Sequence, residues 1–319
     1  VARPELPKIR VGPALVAGAG VSLIAPSSPF DREKFERGVA ALRSLSLEPR
    51  GRDDLFSRWP ESEHAFLAGD DSRRLAELRA ALEDPASRLL VMARGGYGAM
   101  RIATRLPLEE IARAGKLLLG YSDATVLHQR WAQAGVPSIH GPMCTQLADS
   151  QQALTRLAAL LFGEPAQPIA WDPIDPGPAP LGEGAGPVEG ILRGGNLATL
   201  ASLCGTELTP DFANCIVLLE DLAEPPYRLD RLCTQLLQSG AFEGARGFVI
   251  GDLWGPDESS EGRGEVLAER LGSLGVPLAF GAPFGHAGRN QPVAFGCLHR
   301  LDARAGSLTP LESPTAANS

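Results

Sequence analysis

Cysteine is scarce and scattered: Cys144, Cys204, Cys215, Cys233 and Cys297 are the five in 319 residues, with no C-x-x-C pair. An odd, dispersed set argues against a disulfide framework and reads as free thiols in a reducing, cytoplasmic compartment. No apolar run reaches the roughly 18 residues that a membrane span needs. Val11–Ala25, behind Lys8 and Arg10, has the flanks of a signal peptide, but Gly12, Pro13, Gly18, Gly20 and Ser22 dilute it. It is read instead as a loop leading into a first strand, Val21–Ala25. Positive charge is in deficit. Against 38 Asp and Glu there are 30 Lys and Arg, a formal net charge of −8, and no basic stripe. That balance argues against a nucleic-acid partner, whose phosphates need clustered cations. Also missing are the Walker Lys-Ser/Thr, the G-x-G-x-x-G fingerprint and any His/Cys/Asp cluster at metal spacing, so neither cofactor nor metal is expected.

What is present is ordinary globular composition, 44% apolar and 21% charged, at a length that fits two modest domains. The first half alternates strands with helices. After Val21–Ala25, Asp31 is placed to cap a helix carrying Phe35, Val39 and Leu42. Asp71 or Ser72 opens a second, with Leu75, Leu78 and Leu82. Leu89–Ala93 and Lys116–Gly120 are short unbroken apolar runs, as in strands covered on both faces. This predicts an α/β fold: an amino-terminal parallel-sheet domain with flanking helices over 1–162, then a Pro/Gly-rich linker over 163–190. A second, smaller mixed α/β domain follows over 191–319. Its expected strands are Ile191–Leu192, Cys215–Leu219, Gly247–Ile250, Pro277–Phe280 and Pro292–Phe295. Its expected helices are Asn196–Leu203, Leu229–Ser239 and Gly264–Leu274.

The segment richest in chemistry is Leu117-Leu-Leu-Gly-Tyr-Ser-Asp-Ala-Thr-Val-Leu127. A strand ends at Gly120 and a helix begins just after Ser122. A Ser on so tight a turn projects its hydroxyl above the sheet beside the positive end of a helix, and the amide of Asp123 can then help to bind an oxyanion. The plainer alternative is a serine that only caps the helix, since G-x-S-D is not G-x-S-x-G. Arg94-Gly-Gly-Tyr-Gly98 ends the preceding strand at the same sheet edge, where its glycines let backbone approach a ligand.

A serine nucleophile needs a base, and five histidines are available. His64 sits among polar residues, His128 lies on the helix after Ser122 and is expected to point away from the turn, and His140 ends a short strand and could line the site. His286, in the Gly/Pro loop Gly281–Gly288, is on the kind of segment that carries function. Glu220 ends the run Cys215–Leu219, which suits a carboxylate that fixes the base; Glu224, before Pro225 and Pro226, competes with it.

Taken together and in order, these segments resemble the serine LD-carboxypeptidase family, which includes the murein tetrapeptide carboxypeptidases and the microcin C self-immunity proteins. The resemblance rests on Leu23-Ile-Ala-Pro-Ser-Ser-Pro29, Arg94-Gly-Gly-Tyr-Gly98, Gly120-Tyr-Ser-Asp123, His140-Gly-Pro-Met143, Gly194-Gly-Asn-Leu197, Leu219-Glu-Asp221, Pro226-Tyr-Arg-Leu-Asp230 and Gly285-His286. It implies a catalytic triad of Ser122, Glu220 and His286 on a two-domain fold. Gly96 and the Asp123 amide match its oxyanion region, with Gly95, Tyr97, Arg94 and Glu224 near substrate. It further implies a homodimer without a metal, and a small peptide as substrate: a murein tetrapeptide whose terminal D-alanine follows an L-configured diamino acid centre. Arg94, Arg193, Arg228 and Arg289 are the cations open to the substrate carboxylate. The second reading is a microcin-type hydrolase of peptidyl-aspartyl-nucleotide conjugates, with Trp171 or Trp254 stacking on adenine. A ligand-binding protein with a degenerate site and a Cys144-dependent amidase are the remaining alternatives.

Overall fold

A computed structural model of the chain describes residues 9–56, 64–174, 186–253 and 262–316. Trp254 and the linker residues 175–185 lie outside the described residues. The chain forms two compact units. One comprises Pro4–Ala166, Gln291–Gly296 and Ser313–Ser319; the other is built on Gln167–Asn290 and Cys297–Glu312.

The first unit holds a six-stranded sheet in the order Val293–Phe295, Ser138–His140, Leu117–Gly120, Ser87–Met92, Gly20–Ile24, Glu48–Arg50. The last five are parallel; Gly20–Ile24, Leu117–Gly120 and the stretch from Leu89 to Met92 are buried along their length, which is why they read as apolar runs. Asp31 caps the helix Arg32–Ser44, its carboxylate accepting from the Lys34 amide at 2.8 Å. The next helix, Asp71–Glu83, is capped by Asp70 rather than Asp71 or Ser72. Strand order reverses on either side of Gly20–Ile24. The loops leaving Gly20–Ile24 and Ser87–Met92 therefore diverge at the carboxyl edge, where open parallel sheets bind ligands.

The edge strand Val293–Phe295 comes from far along the chain and runs antiparallel to Ser138–His140, pairing Val293 with His140 and Phe295 with Ser138. The two consecutive stretches expected from the sequence do not contain this return. The expected linker is also partly ordered sheet. Ile169–Ala170 pairs with Ser307–Pro310, and the strand expected at Ile191–Leu192 runs over Val188–Asn196.

The second unit carries seven strands. Leu278–Phe280, Gly247–Ile250, Cys215–Glu220 and Val188–Asn196 are parallel, and Leu298–Asp302, Ser307–Pro310 and Ile169–Ala170 extend the sheet antiparallel. Helices Leu197–Ser202, Pro226–Gln238 and Arg263–Gly272 accompany the sheet. Pro226 fits the start of its helix because a first-turn amide needs no partner. Leu229, Cys233 and Leu236, four and three residues apart, join Phe212, Phe242 and Phe248 in the core. Backbone approach is close at Gly194, where φ is 140° and an added Cβ would lie 1.9 Å from the Leu218 carbonyl oxygen.

Candidate active site

Ser122 occupies the turn between the strand Leu117–Gly120 and the helix Ala124–Gln133, and its φ is +61°. A left-handed backbone at a residue with a Cβ costs about 1–2 kcal/mol, and such strain collects where a side chain must be presented. The helix opens on bonds to carbonyl oxygens: the Ala124 amide donates to Tyr121 at 3.1 Å and the Thr125 amide to Ser122 at 2.9 Å. The bond that the plainer capping reading would give to the serine side chain is thus made by backbone.

The glycine loop lies directly against this turn. An added Cβ on Gly95 would sit 3.0 Å from Ser122 Cβ, 3.2 Å from its Oγ and 3.4 Å from the Asp123 amide nitrogen. Gly96, at φ +99°, packs on Ser28, whose hydroxyl accepts from the Tyr97 amide at 3.1 Å. Tyr97 is half-exposed, its ring 5.8 Å from that of Phe66.

Beneath the turn is a polar scaffold that the sequence reading missed. The buried Asp123 carboxylate accepts from Ser27 Oγ at 2.5 Å and from the Ala99 amide at 2.9 Å. Burial pushes its pKa up, opposed by those two bonds and by the charge of Arg74. Arg74 is fully buried and donates to the carbonyls of Pro26 and of Gly98, the latter at 2.8 Å. It shares a helix face with Leu75, Leu78 and Leu82, and a cation in that apolar stripe was the available signal.

His128 also departs from expectation. Its Nε2 donates to the Gly120 carbonyl at 2.9 Å, reaching back towards the turn, and its Nδ1 accepts from Ser138 Oγ at 2.8 Å. Burial lowers its pKa to about 4, so the ring is a neutral strut. His140 is buried beside Tyr121 and Phe295, and His299 is buried with Nδ1 3.0 Å from the Cys297 carbonyl.

In the second unit, Glu220 ends its strand as expected and is fully buried. Its Oε2 accepts from His286 Nδ1 at 2.8 Å. That bond puts the ring proton on Nδ1 and leaves Nε2 the basic nitrogen. Burial alone would lower the His286 pKa; the charge and hydrogen bond of Glu220, with the charges of Asp221 and Asp252, outweigh it and raise it. Asp221 accepts from Asn196 Nδ2 and from the amides of Ala198 and Leu222. Burial, then the Glu220 charge, pushes its pKa up to about 6. Glu224 is directed elsewhere. It pairs with Arg228 Nε at 2.9 Å, and its carbonyl accepts from Arg263 at 2.9 Å.

Each arginine proposed for a substrate carboxylate has a partner within the protein. Arg94 donates to the Pro29 carbonyl, Arg193 to the Asp211 carbonyl, Arg228 pairs with Glu224 and Arg289 with Asp252. Trp171 Nε1 donates to the Phe280 carbonyl at 2.9 Å. Cys144 is buried and its thiol pushed up to about 12, which disarms it as a nucleophile. Among the described residues no His/Cys/Asp/Glu group has the arrangement to hold a metal, and no helix is long and apolar enough to cross a membrane.

Two α/β units, one presenting a strained serine at a strand-to-helix turn and the other a carboxylate-bound histidine, have the parts used by serine hydrolases. Residues 21–141 match the LD-carboxypeptidase N-terminal domain and 189–301 the LD-carboxypeptidase C-terminal domain. The chain belongs to the LD-carboxypeptidase family. The murein tetrapeptide carboxypeptidase of Pseudomonas aeruginosa is 32% identical over 86% of this chain and 91% of its own. A Streptomyces coelicolor protein described provisionally as a carboxypeptidase is 38% identical over 94% and 96%. The crystal structure of muramoyltetrapeptide carboxypeptidase from Oxalobacter formigenes aligns with a TM-score of 0.76 at 27% identity, covering 93% of this chain and 100% of that one. The wild-type microcin C7 self-immunity protein shares the fold at TM-score 0.80 and 19% identity, over 96% and 100%.

Proposed function

We propose that the chain hydrolyses the amide bond between an L-configured diamino acid centre and a terminal D-alanine in murein tetrapeptides, with Ser122 as nucleophile, His286 as base and Glu220 as its orienting acid. The observation that carries the reading is the His286–Glu220 bond of 2.8 Å to a fully buried carboxylate. It selects the tautomer a general base needs. In the proposed reaction His286 Nε2 takes the Ser122 proton as Oγ attacks the carbonyl carbon. The tetrahedral oxyanion is met by the amides of Gly96 and Asp123, and donors of this kind are worth about 3 kcal/mol each. His286 then protonates the leaving amine of D-alanine, and water repeats the sequence on the acyl-enzyme. Gly95 supports the assignment by leaving the space beside Oγ that a side chain would fill. Tyr97 and Arg94, on the same loop, are assigned to substrate, and Glu224 to the margin of the site. No metal or other cofactor takes part.

The murein substrate is favoured over a peptidyl-nucleotide by the relative at 32% identity named for murein tetrapeptide, against a self-immunity protein likeness of 19%. A mass-spectrometric assay on a panel of both substrate classes, with Ser122→Ala as control, tests the choice. Release of D-alanine by the wild type alone is expected; cleavage of the nucleotide conjugates instead would reverse it. A cytoplasmic location and a homodimer belong to the same proposal, and light scattering on the purified chain tests the second.

A further inference from the structure

His286 is held by more than Glu220. The strand Gly247–Ile250 runs on into Gly251 and Asp252, and the Asp252 side chain is fully buried. Its Oδ2 accepts from the Ala287 amide at 2.9 Å and its Oδ1 from Arg289 Nη2 at 2.9 Å. Its own amide donates to the Phe284 carbonyl at 2.7 Å, and its carbonyl accepts from the Asp221 amide at 2.9 Å. One residue therefore takes hold of the histidine loop at 284, 287 and 289 while bonding to the residue that follows Glu220. The fit is tight at the residue before the histidine. Gly285 has φ +119°, and an added Cβ would lie 3.1 Å from Asp252 Cβ and 3.2 Å from both Cβ and Oε2 of Glu220. On the loop's other side Asn290 accepts from the Gly285 amide.

We infer that Asp252 is a positioning residue for the proposed reaction: it clamps the loop Phe284–Arg289 so that the His286 ring stays seated on Glu220. The inference rests on the function proposed above, since it treats His286 as the base. A buried carboxylate that meets a backbone amide and a guanidinium is a strong and directional tie, and a base displaced by about 1 Å can lose a hundredfold in rate. Among the described residues, Glu220, Asp221 and Asp252 act on the ring's charge from the strand ends, and Arg289 on the loop itself pairs with Asp252. Asp252 thus contributes a negative charge as well as a grip.

The two contributions separate by substitution. Asp252→Asn keeps an oxygen for the Ala287 amide but removes the charge; Asp252→Ala removes both. We expect kcat to fall about tenfold in Asp252→Asn and about a hundredfold in Asp252→Ala, with KM changed less than threefold. The acidic limb of kcat/KM should move to lower pH in Asp252→Asn. Arg289→Ala, which removes one of the two side-chain ties to Asp252 and leaves the Asp252–Ala287 bond in place, should lower kcat by less than Asp252→Ala does. Wild-type kcat and an unmoved limb in Asp252→Asn would overturn the inference. A nuclear magnetic resonance titration of the His286 ring in wild type and Asp252→Asn gives a readout independent of turnover. Its midpoint should fall in the variant whether or not the murein assay succeeds, so an unmoved midpoint sinks the clamp, while an active Ser122→Ala sinks the function alone.

Discussion

Gly95 packs tightly against Ser122: an added Cβ on the glycine would lie 3.0 Å from the serine Cβ and 3.2 Å from its hydroxyl oxygen, so the serine would have to give way by a few tenths of an ångström. The loop after one strand thereby borders the turn after its neighbour. Gly95→Ala is expected to reduce kcat/KM by at least a hundredfold while the melting temperature moves by only a few degrees. Steady-state kinetics beside a thermal melt checks this, and a near-normal rate would show that the methyl group is accommodated.

Ser122→Ala should abolish turnover and leave stability close to wild type, because alanine meets the same penalty at φ +61°. Ser122→Gly should also be inactive yet more stable by roughly 1 kcal/mol, since glycine adopts that backbone freely. Denaturant titration of the two variants separates them. Equal stabilities would mean that the turn is not strained.

Glu220→Gln should lower kcat by orders of magnitude with KM little changed, whereas Glu224→Gln should be mild or act mainly on KM. The His286 pKa is raised, so under the proposed mechanism the base should become protonated, and activity should fall, as pH drops through a midpoint above the ordinary histidine value of about 6.5. In Glu220→Gln the residual activity should show that limb at lower pH. A dead Glu224→Gln with an active Glu220→Gln would reassign the acid.

His128 gives stability its own pH dependence. Its folded pKa of about 4 lies below the unfolded value of about 6.5, so between these limits the unfolded chain binds the extra proton. Stability from this group is complete above pH 6.5 and is lost as pH falls towards 4, by roughly 3 kcal/mol across the window. His128→Asn should flatten that slope in urea melts between pH 4 and 7. An unchanged slope would place the titration on another group.

Much of this was legible in the sequence because buried parallel strands are apolar without interruption. The apolar runs Gly247–Ile250 and Cys215–Leu219 coincide with strands, the second of which ends on Glu220. The turn at Ser122 was readable because strand, Gly-Tyr-Ser and helix follow in one short stretch. What the sequence concealed was long-range. Val293–Phe295 reads as a strand, yet nothing local says that its partner is Ser138–His140. Asp252 and Arg74 were passed over for a related reason: a buried charge is recognisable only through its partners, and those lie 35 residues away at Ala287 and 48 at Pro26. The orientation of His128 was misjudged because its position on a helix was known but its hydrogen-bond acceptor, a strand carbonyl eight residues back, was not.

The returning strand Val293–Phe295 has a consequence for how this gene can be cut, fused or inherited. A coding segment ending near residue 162 would encode the serine turn but leave Ser138–His140 as a bare edge, a template for pairing with another chain. One beginning near residue 191 would carry that same strand away from its sheet and lose Ile169–Ala170 from its own. Neither contiguous half encodes a complete unit, so recombination that shuffles modules at a single crossover has no clean breakpoint here. Either unit can be exchanged whole between relatives only by splicing at four places at once, after residues 166, 290, 296 and 312.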